Sequence, residues 1–240
     1  GGIKMSKKGK RYKALLEKVD LSKQYSISEA VAIAKECATA KFDESLELHV
    51  RLGVDPRHAD QQVRSTIVLP HGTGHTKKVC VIALGDKQKE AQDAGADIVG
   101  GEDLVKEIAE GRMDFDAVIA TPDIMKSAGR LGKVLGPRGL MPSAKANTVT
   151  FDVAGAVKEI KAGRIEFRVD KTAITHNAVG RASFPVENLE NNVKALFRAI
   201  IKARPAAVKG TYVKSVTLAT TMGVGISIDP VQAQKDSAAE

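Results

Sequence analysis

The 240-residue sequence contains no tryptophan, and aromatic residues make up only 4% of it. So low an aromatic content argues against recognition of single-stranded bases by stacking. Cysteine is scarce too, with Cys37 and Cys80 as the only two. Two cysteines supply neither a disulfide framework nor a zinc site, so we expect buried free thiols in a reducing, cytoplasmic environment. The sequence predicts no metal and no cofactor.

Long apolar runs are also missing. No run approaches the roughly 18 residues needed to cross a bilayer, which predicts a soluble protein with no membrane partner. The hydrophobic content of 43% and the charged content of 28% are those of a globular chain. Its length is enough for two ordinary domains.

Positive charge is unevenly distributed along the chain. Residues 72–161 hold 13 Lys and Arg against 13 Asp and Glu, whereas the flanks hold 24 against 16 and carry the whole net charge of +8. This partition predicts a split domain of residues 1–71 and 162–240, with a domain of residues 72–161 inserted into it. Because a basic body attracts polyanions, we expect the split domain to bind one.

The first flank combines an amphipathic helix with strands that have one polar face. Ser26 and Glu29 form a capping box that begins the helix, and apolar residues alternate with polar ones from Leu46 to Val54. A second strand is expected at residues 63–69.

The second flank repeats this pattern. Alternation indicates a strand at 165–170, β-branched residues indicate another at 213–219, and a 3.6-residue period indicates a helix at 189–201. The two flanks together predict a two-layer α+β sandwich. Residues 231–240 are polar and alanine-rich, which predicts a disordered tail.

The middle of the chain has a different pattern. Short apolar runs at residues 79–84 and 115–120 are each followed by a helical stretch, which predicts a parallel, Rossmann-like sheet covered by helices. The fold class expected for the whole chain is therefore α/β, a split α+β sandwich with an inserted Rossmann-like domain.

Two features of the middle segment suggest an enzyme or nucleotide-binding protein as the rival hypothesis. Asp114, Asp116 and Asp123 lie around a predicted parallel strand, near the strand ends at which open α/β sheets bind ligands. The loop at 131–142 is rich in glycine and cations, but it matches neither a P-loop nor a dinucleotide fingerprint. Solvated carboxylates and a structured basic loop are the favoured interpretations, and no catalytic residue is assigned.

The flanks offer a better candidate site. Lys41 and Phe42 precede a strand, residues 166–171 form one, and residues 220–223 form a turn of small residues where a backbone could approach a sugar edge. Phe42 either stacks on a base or caps the core. This combination suits structured RNA that is read through its shape, phosphates and 2′-hydroxyls.

Six motifs, taken in chain order, resemble one known family. They are Lys8 to Tyr12, Thr39 to Glu44, Leu69 to Gly74, Leu135 to Pro142, Gly163 to Arg168 and Thr220 to Gly223. The chain is similar to the bacterial large-subunit ribosomal proteins of the L-one family, which belong to the mobile side stalk of the ribosome. The likeness covers residues 5–230, and the Gly-Pro-Arg-Gly-Leu-Met-Pro stretch at 136–142 is its most specific part.

The resemblance implies a ribosome-associated RNA-binding protein without enzymatic activity. Its implied partners are large-subunit ribosomal RNA, the exit-site transfer RNA whose release it assists, and the messenger RNA of its own operon, which it represses. We expect a monomer when the protein is free. Carried over position by position, the RNA-binding residues are Lys41, Phe42, Glu166, Phe167, Arg168, Lys171, His176, Ser215, Thr221, Met222 and Gly223.

Two further expectations concern the backbone. Four glycines at the crossings between the predicted domains offer hinge freedom: Gly72, Gly74, Gly155 and Gly163. The chain departs from the family pattern at Val169, where a polar residue is common, and at Ala173, where glycine is frequent. The turn after Lys171 is therefore expected to differ in shape.

Overall fold

The computed structural model describes residues 9–238, except for the side chain of Ala238. Lys8 of the first motif and the last two residues of the predicted tail lie outside this range. Contacts divide the described chain into two compact units. The first comprises residues 9–63, 69–74 and 167–238, and the second comprises residues 64–68 and 75–166.

The first unit contains helices around an antiparallel sheet. Its helices are α1 (Lys10–Lys18), α2 (Ile27–Cys37), α8 (Val186–Lys202) and α9 (Pro230–Ala238), with a 3₁₀ turn at Ala59–Gln61. Its sheet consists of β1 (Ser45–Leu52), β7 (Ile174–Arg181), β8 (Val213–Thr220) and β9 (Ile226–Ile228), in the order β7-β1-β8-β9. All three pairings are antiparallel.

Helices α2 and α8 cover one face of this sheet, because both are amphipathic and the strands bury alternate residues. The predicted capping box is present at the start of α2, where Ser26 and Glu29 each accept the other's backbone N–H. Leu46, Leu48 and Val50 of β1 point into the core and are at most 1% exposed. The helix predicted after Ser26, the helix predicted at residues 189–201 and the strand predicted from Leu46 to Val54 are thus found in this unit.

The second unit is built around a parallel sheet in the order β4-β3-β5. Its strands are β2 (Arg64–Val68), β3 (Val79–Ile82), β4 (Ile98–Gly100) and β5 (Ala117–Ala120). Its helices are α3 (Asp86–Asp93), α4 (Glu102–Ala109), α5 (Met125–Ala128), α6 (Gly132–Leu135) and α7 (Val153–Lys161), with 3₁₀ turns at Pro122–Ile124, Gly129–Leu131 and Ala144–Ala146.

Both faces of the parallel sheet are covered, which explains why its strands are apolar runs without alternation. Helices α3 and α7 pack on one face, and α4 together with residues 124–135 packs on the other. Strand β2, which the charge partition placed in the split domain, belongs to this unit and pairs with β6 (Arg164–Arg168).

The predicted disordered tail is a helix over most of its length. Helix α9 begins at Pro230, buries Ala233 and Ser237, and packs against α8 and β8. The Arg198 guanidinium donates to the Ser237 carbonyl at 2.7 Å. The prediction of disorder was wrong for residues 231–238, because two small side chains spaced four apart let the helix lie close to α8. None of the described helices is long and apolar enough to cross a membrane.

Candidate nucleic-acid interface

The face of the first unit's sheet that α2 and α8 leave uncovered is polar. Directly opposite residues of antiparallel strands lie on the same face, and His49 of β1 stands opposite both His176 of β7 and Thr217 of β8. One step along, Arg51 stands opposite Ser215. We call His49, Arg51, His176 and Ser215 the sheet face; it includes two of the predicted RNA-binding residues.

A buried carboxylate joins the loop before β1 to the loop after β8. Glu44 is 1% exposed, and its two oxygens accept the N–H of Ala40 at 2.8 Å and the N–H of Met222 at 2.9 Å. Burial alone would raise the pKa of Glu44, but the N–H groups of Met222 and Ala40 outweigh it and hold the pKa below its usual value. Glu44 is therefore an ionised clamp that fixes both loops.

The clamp joins five residues of these two loops, which we call the loop cluster: Lys41, Phe42, Thr221 and Met222, which are exposed, and Gly223, which is half-buried. The side chains of Phe42 and Met222 are large and apolar, yet they are 54% and 47% exposed. Arg11 of α1 supports the group by donating to the Met222 carbonyl at 2.7 Å. Two exposed large apolar side chains and the exposed cation Lys41 make this group a candidate binding surface.

The turn of this cluster is tightly built. The Thr221 hydroxyl accepts the Ser45 N–H at 3.0 Å, so this exposed side chain also secures the start of β1. A Cβ at Gly223 would lie 2.2 Å from the Thr220 hydroxyl, so any other residue there would force the Thr220 side chain to move. Sequence reasoning placed these residues at the surface but gave no sign of the Thr221 bond.

Lys171 lies in a turn held by Asp170. The Asp170 carboxylate accepts the N–H groups of Ile174 and Thr172, both at 2.8 Å, and the Ile174 bond is the main reason that the pKa of Asp170 is lowered. Lys171 is exposed at the tip. Ala173 has φ of 64°, in the left-handed region that favours glycine. The turn expected to be unusual at Ala173 thus keeps a glycine-like backbone.

Ala173→Gly should stabilise the first unit. The substitution removes the left-handed cost of about 1–2 kcal/mol for an L-residue and adds about 0.5–1 kcal/mol of backbone entropy, so a net gain of up to about 1.5 kcal/mol is expected. Thermal unfolding measures it. Ala178→Gly, in the middle of β7, is the control and should destabilise the protein. Equal destabilisation by both substitutions would contradict the left-handed backbone at Ala173.

The two histidines of the sheet face contact each other. Their Nδ1 atoms are 2.9 Å apart, so one ring must act as the acceptor and be neutral. Burial lowers the pKa of His49, and His176 lowers it further, against a smaller opposing effect of Glu47. His176 also lies 3.6 Å from the Asp170 carboxylate.

Stability should fall as the pH drops below the pKa of an unperturbed histidine. Because the folded state lowers the pKa of His49, the unfolded chain takes up the proton first as the pH falls. The stabilising contribution of neutral His49 is therefore fully present above about pH 6.5 and is lost as the pH falls through the lower folded-state pKa. Melting temperatures at pH 7.5 and 5.5 measure the loss. His49→Gln should reduce the loss of stability between the two pH values, whereas His58→Gln, at an exposed turn, should not. Identical pH dependence in the unaltered protein and both variants would show that His49 is not the cause.

The remaining predicted residues lie on β6. Phe167 is fully buried, so its assignment to the RNA surface is corrected: the side chain belongs to the core of the first unit. Arg168 beside it is exposed. Glu166 belongs to the second unit, where it forms an ion pair with Arg64.

The four hinge candidates have different backbones. Gly72, Gly74 and Gly163 have φ of 64°, 73° and 99°, which other residues rarely adopt. Gly155 instead lies in the first turn of α7, where its N–H donates to Asp152 at 2.9 Å. This capping hydrogen bond holds Gly155 at the start of α7, so Gly155 is removed from the hinge candidates.

Two of the three carboxylates behind the rival hypothesis have structural partners. Asp116 accepts the Lys78 N–H at 3.0 Å, and Asp114 pairs with Arg112 at 3.2 Å. Asp123 is exposed in the 3₁₀ turn after β5. Within residues 9–238, no group of three or more His, Cys, Asp or Glu side chains is arranged to hold a metal ion.

Comparison with protein families adds the deciding observation. Residues 34–224 match the model of the Ribosomal protein L1p/L10e family. The chain belongs to this family. The match takes in the Glu44 clamp and the sheet face, and it confirms the resemblance found from the six motifs.

Individual members of the L1p/L10e family are similar over nearly their whole length. The large ribosomal subunit protein uL1 of Solibacter usitatus is 58% identical over 224 residues, which are 93% of this chain and 94% of the relative. The uL1 protein of Thermus thermophilus is 56% identical over 227 residues, which are 94% of this chain and 99% of the relative.

Sequence reasoning missed three residues of the candidate interface. Glu44 looks like an ordinary charged residue before a strand, and only the fold shows that it is buried. His49 and Arg51 were placed on the polar face of β1 by alternation but were not singled out. Their period-two spacing was the available signal.

Proposed function

We propose that this chain is a structural component of the large ribosomal subunit that binds large-subunit ribosomal RNA through the loop cluster and the sheet face. The observation that carries the proposal is the Glu44 clamp, which joins the loop that carries exposed Phe42 to the loop that carries exposed Met222. The name of the relatives, large ribosomal subunit protein, agrees with it.

Affinity and specificity have different sources in this proposal. Lys41, Arg168 and Lys171 are exposed cations that attract phosphates irrespective of sequence. Phe42 and Met222 supply apolar contact with bases or sugars in a folded RNA, and the exposed Ser215 supplies a hydroxyl. A rigid cluster selects one RNA shape, because its loops need little ordering on binding.

The wider roles that the family resemblance implies are part of the same proposal. A messenger RNA that imitates the ribosomal site would occupy the loop cluster and repress the operon. Motion at Gly72, Gly74 and Gly163 would let the protein follow the side stalk in the cytoplasm and assist the release of exit-site transfer RNA. No catalytic step is assigned. Solution scattering that fits one rigid shape, with and without RNA, would refute the hinge.

Met222→Ala tests the loop cluster directly. Loss of an exposed apolar contact should weaken binding to folded stalk ribosomal RNA by about 1–2 kcal/mol, roughly tenfold. The melting temperature should stay nearly unchanged, since the side chain is 47% exposed. Val231→Ala is the matched control, because Val231 is an apolar residue of the same unit and is 63% exposed. Equal RNA affinity of the two variants would argue against the site.

A further inference from the structure

The neutral charge of the middle segment conceals a strong separation of charge. No carboxylate occurs between Asp123 and Asp152, and residues 124–151 hold five cations: Lys126, Arg130, Lys133, Arg138 and Lys145. The rest of the segment, residues 72–123 and 152–161, holds 8 Lys and Arg against 13 Asp and Glu. We call residues 124–151 the basic segment; all of it belongs to the second unit.

The fold turns three of these cations outward. Residues 122–135 are helical throughout, in alternating 3₁₀ and α turns. Ile124, Ala128, Leu131 and Leu135 recur every three or four residues and are at most 3% exposed. Lys126, Arg130 and Lys133 have the same spacing on the opposite side and are exposed. They form a row, which we call the cation stripe.

The stripe is followed by a loop that continues the exposed charge. Arg138 is exposed between Pro137 and Gly139, and Gly139 has φ of 70°. A Cβ at Gly139 would find nothing within 4 Å, so the backbone here is open to solvent. Glycine backbone can approach a phosphate more closely than backbone that carries side chains.

These cations differ from the other arginines of the unit. Arg64, Arg112 and Arg164 each form an ion pair with a glutamate. Among residues 9–238, none of the five cations of the basic segment has an ion-pair or hydrogen-bond partner. Unpaired cations in a row keep their full attraction for an external polyanion, whereas paired ones do not.

We propose that the basic segment is a second RNA-binding surface, which contacts the phosphate backbone of double-stranded RNA without reading sequence. Phosphate contact needs exposed cations and open backbone, and the segment offers both. A protein partner fits less well, because protein interfaces have an apolar centre and the apolar residues of the helical run point inward. The proposal goes beyond the function proposed for the first unit and does not depend on it.

The test measures binding of the full chain to a 20-base-pair RNA duplex of arbitrary sequence across a salt series. The test variant is Lys126→Gln, Arg130→Gln and Lys133→Gln combined. The control combines Lys89→Gln, Lys106→Gln and Lys158→Gln. These substitutions replace three exposed lysines on α3, α4 and α7 and remove the same total charge. The test variant should bind roughly tenfold more weakly, with the slope of log affinity against log salt reduced by about 2–3.

The control variant should keep the slope of the unaltered protein. Equal losses in both variants would mean that only net charge matters, and unchanged binding in the test variant would mean that the stripe is not used; either result overturns the proposal. Stronger competition by poly-glutamate than by the duplex would favour an acidic protein and overturn it too. Met222→Ala should not alter duplex binding, so failure of the RNA site proposed on the first unit can be distinguished from failure of the basic segment.

Discussion

Phe167→Ala is expected to lower the free energy of unfolding of the first unit by about 3–5 kcal/mol. Phe167 is among the largest fully buried side chains, and truncation would leave a cavity that a packed core cannot fill. Urea denaturation measures the loss. Any fall in RNA affinity should disappear when binding is measured under conditions in which the variant is fully folded.

Arg168→Ala is the matched control, because Arg168 is the next residue on β6 and is exposed. It should change stability by less than about 0.5 kcal/mol and weaken RNA binding through the loss of one phosphate contact. If Phe167→Ala leaves stability unchanged and reduces specific RNA binding directly, the side chain belongs to the surface and the buried assignment fails.

Glu44→Gln should be the most damaging single change to RNA binding. An amide supplies one acceptor oxygen and an NH₂ group, so one of the two N–H donors now facing Glu44 loses its partner. Loss of a buried, charge-assisted hydrogen bond costs about 1.5–3 kcal/mol. Because both loops of the cluster depend on this carboxylate, affinity for the stalk RNA should fall at least about tenfold.

Glu36→Gln separates this effect from a simple change of charge. Glu36 lies on α2, is exposed, and carries the same charge. It should leave stability and RNA binding nearly unchanged. Similar RNA affinities for the two variants would show that Glu44 does not organise the cluster, and a large stability loss with unaltered affinity would restrict its role to the fold.

Much of the fold could be predicted because its periodic signals are local. The capping box of α2, the alternation of β1 and the 3.6-residue period of α8 all depend on residues that are close in sequence. Strand β7 was not predicted. Its inward positions include Thr175 and Asn177, so apolar and polar residues do not alternate, and pairing with β1 alone defines it.

The interface was harder to predict, because long-range contacts create it. Alternation on β6 already placed Phe167 with the apolar residues Ile165 and Val169; its assignment to the RNA surface came from the family resemblance, and the burial of the side chain overrides it. Glu44 meets Met222 only because the fold brings residues 178 positions apart together. No local pattern reports such a contact.

The measurement that tests the central claim most directly is competition between folded ribosomal RNA of the side stalk and an unrelated duplex of equal length, for the full chain, across a salt series. Specific recognition by the loop cluster and the sheet face predicts that the stalk RNA wins by orders of magnitude, even at high salt. If both RNAs bind alike and both are lost as salt rises, only phosphate attraction remains and the proposed function is contradicted.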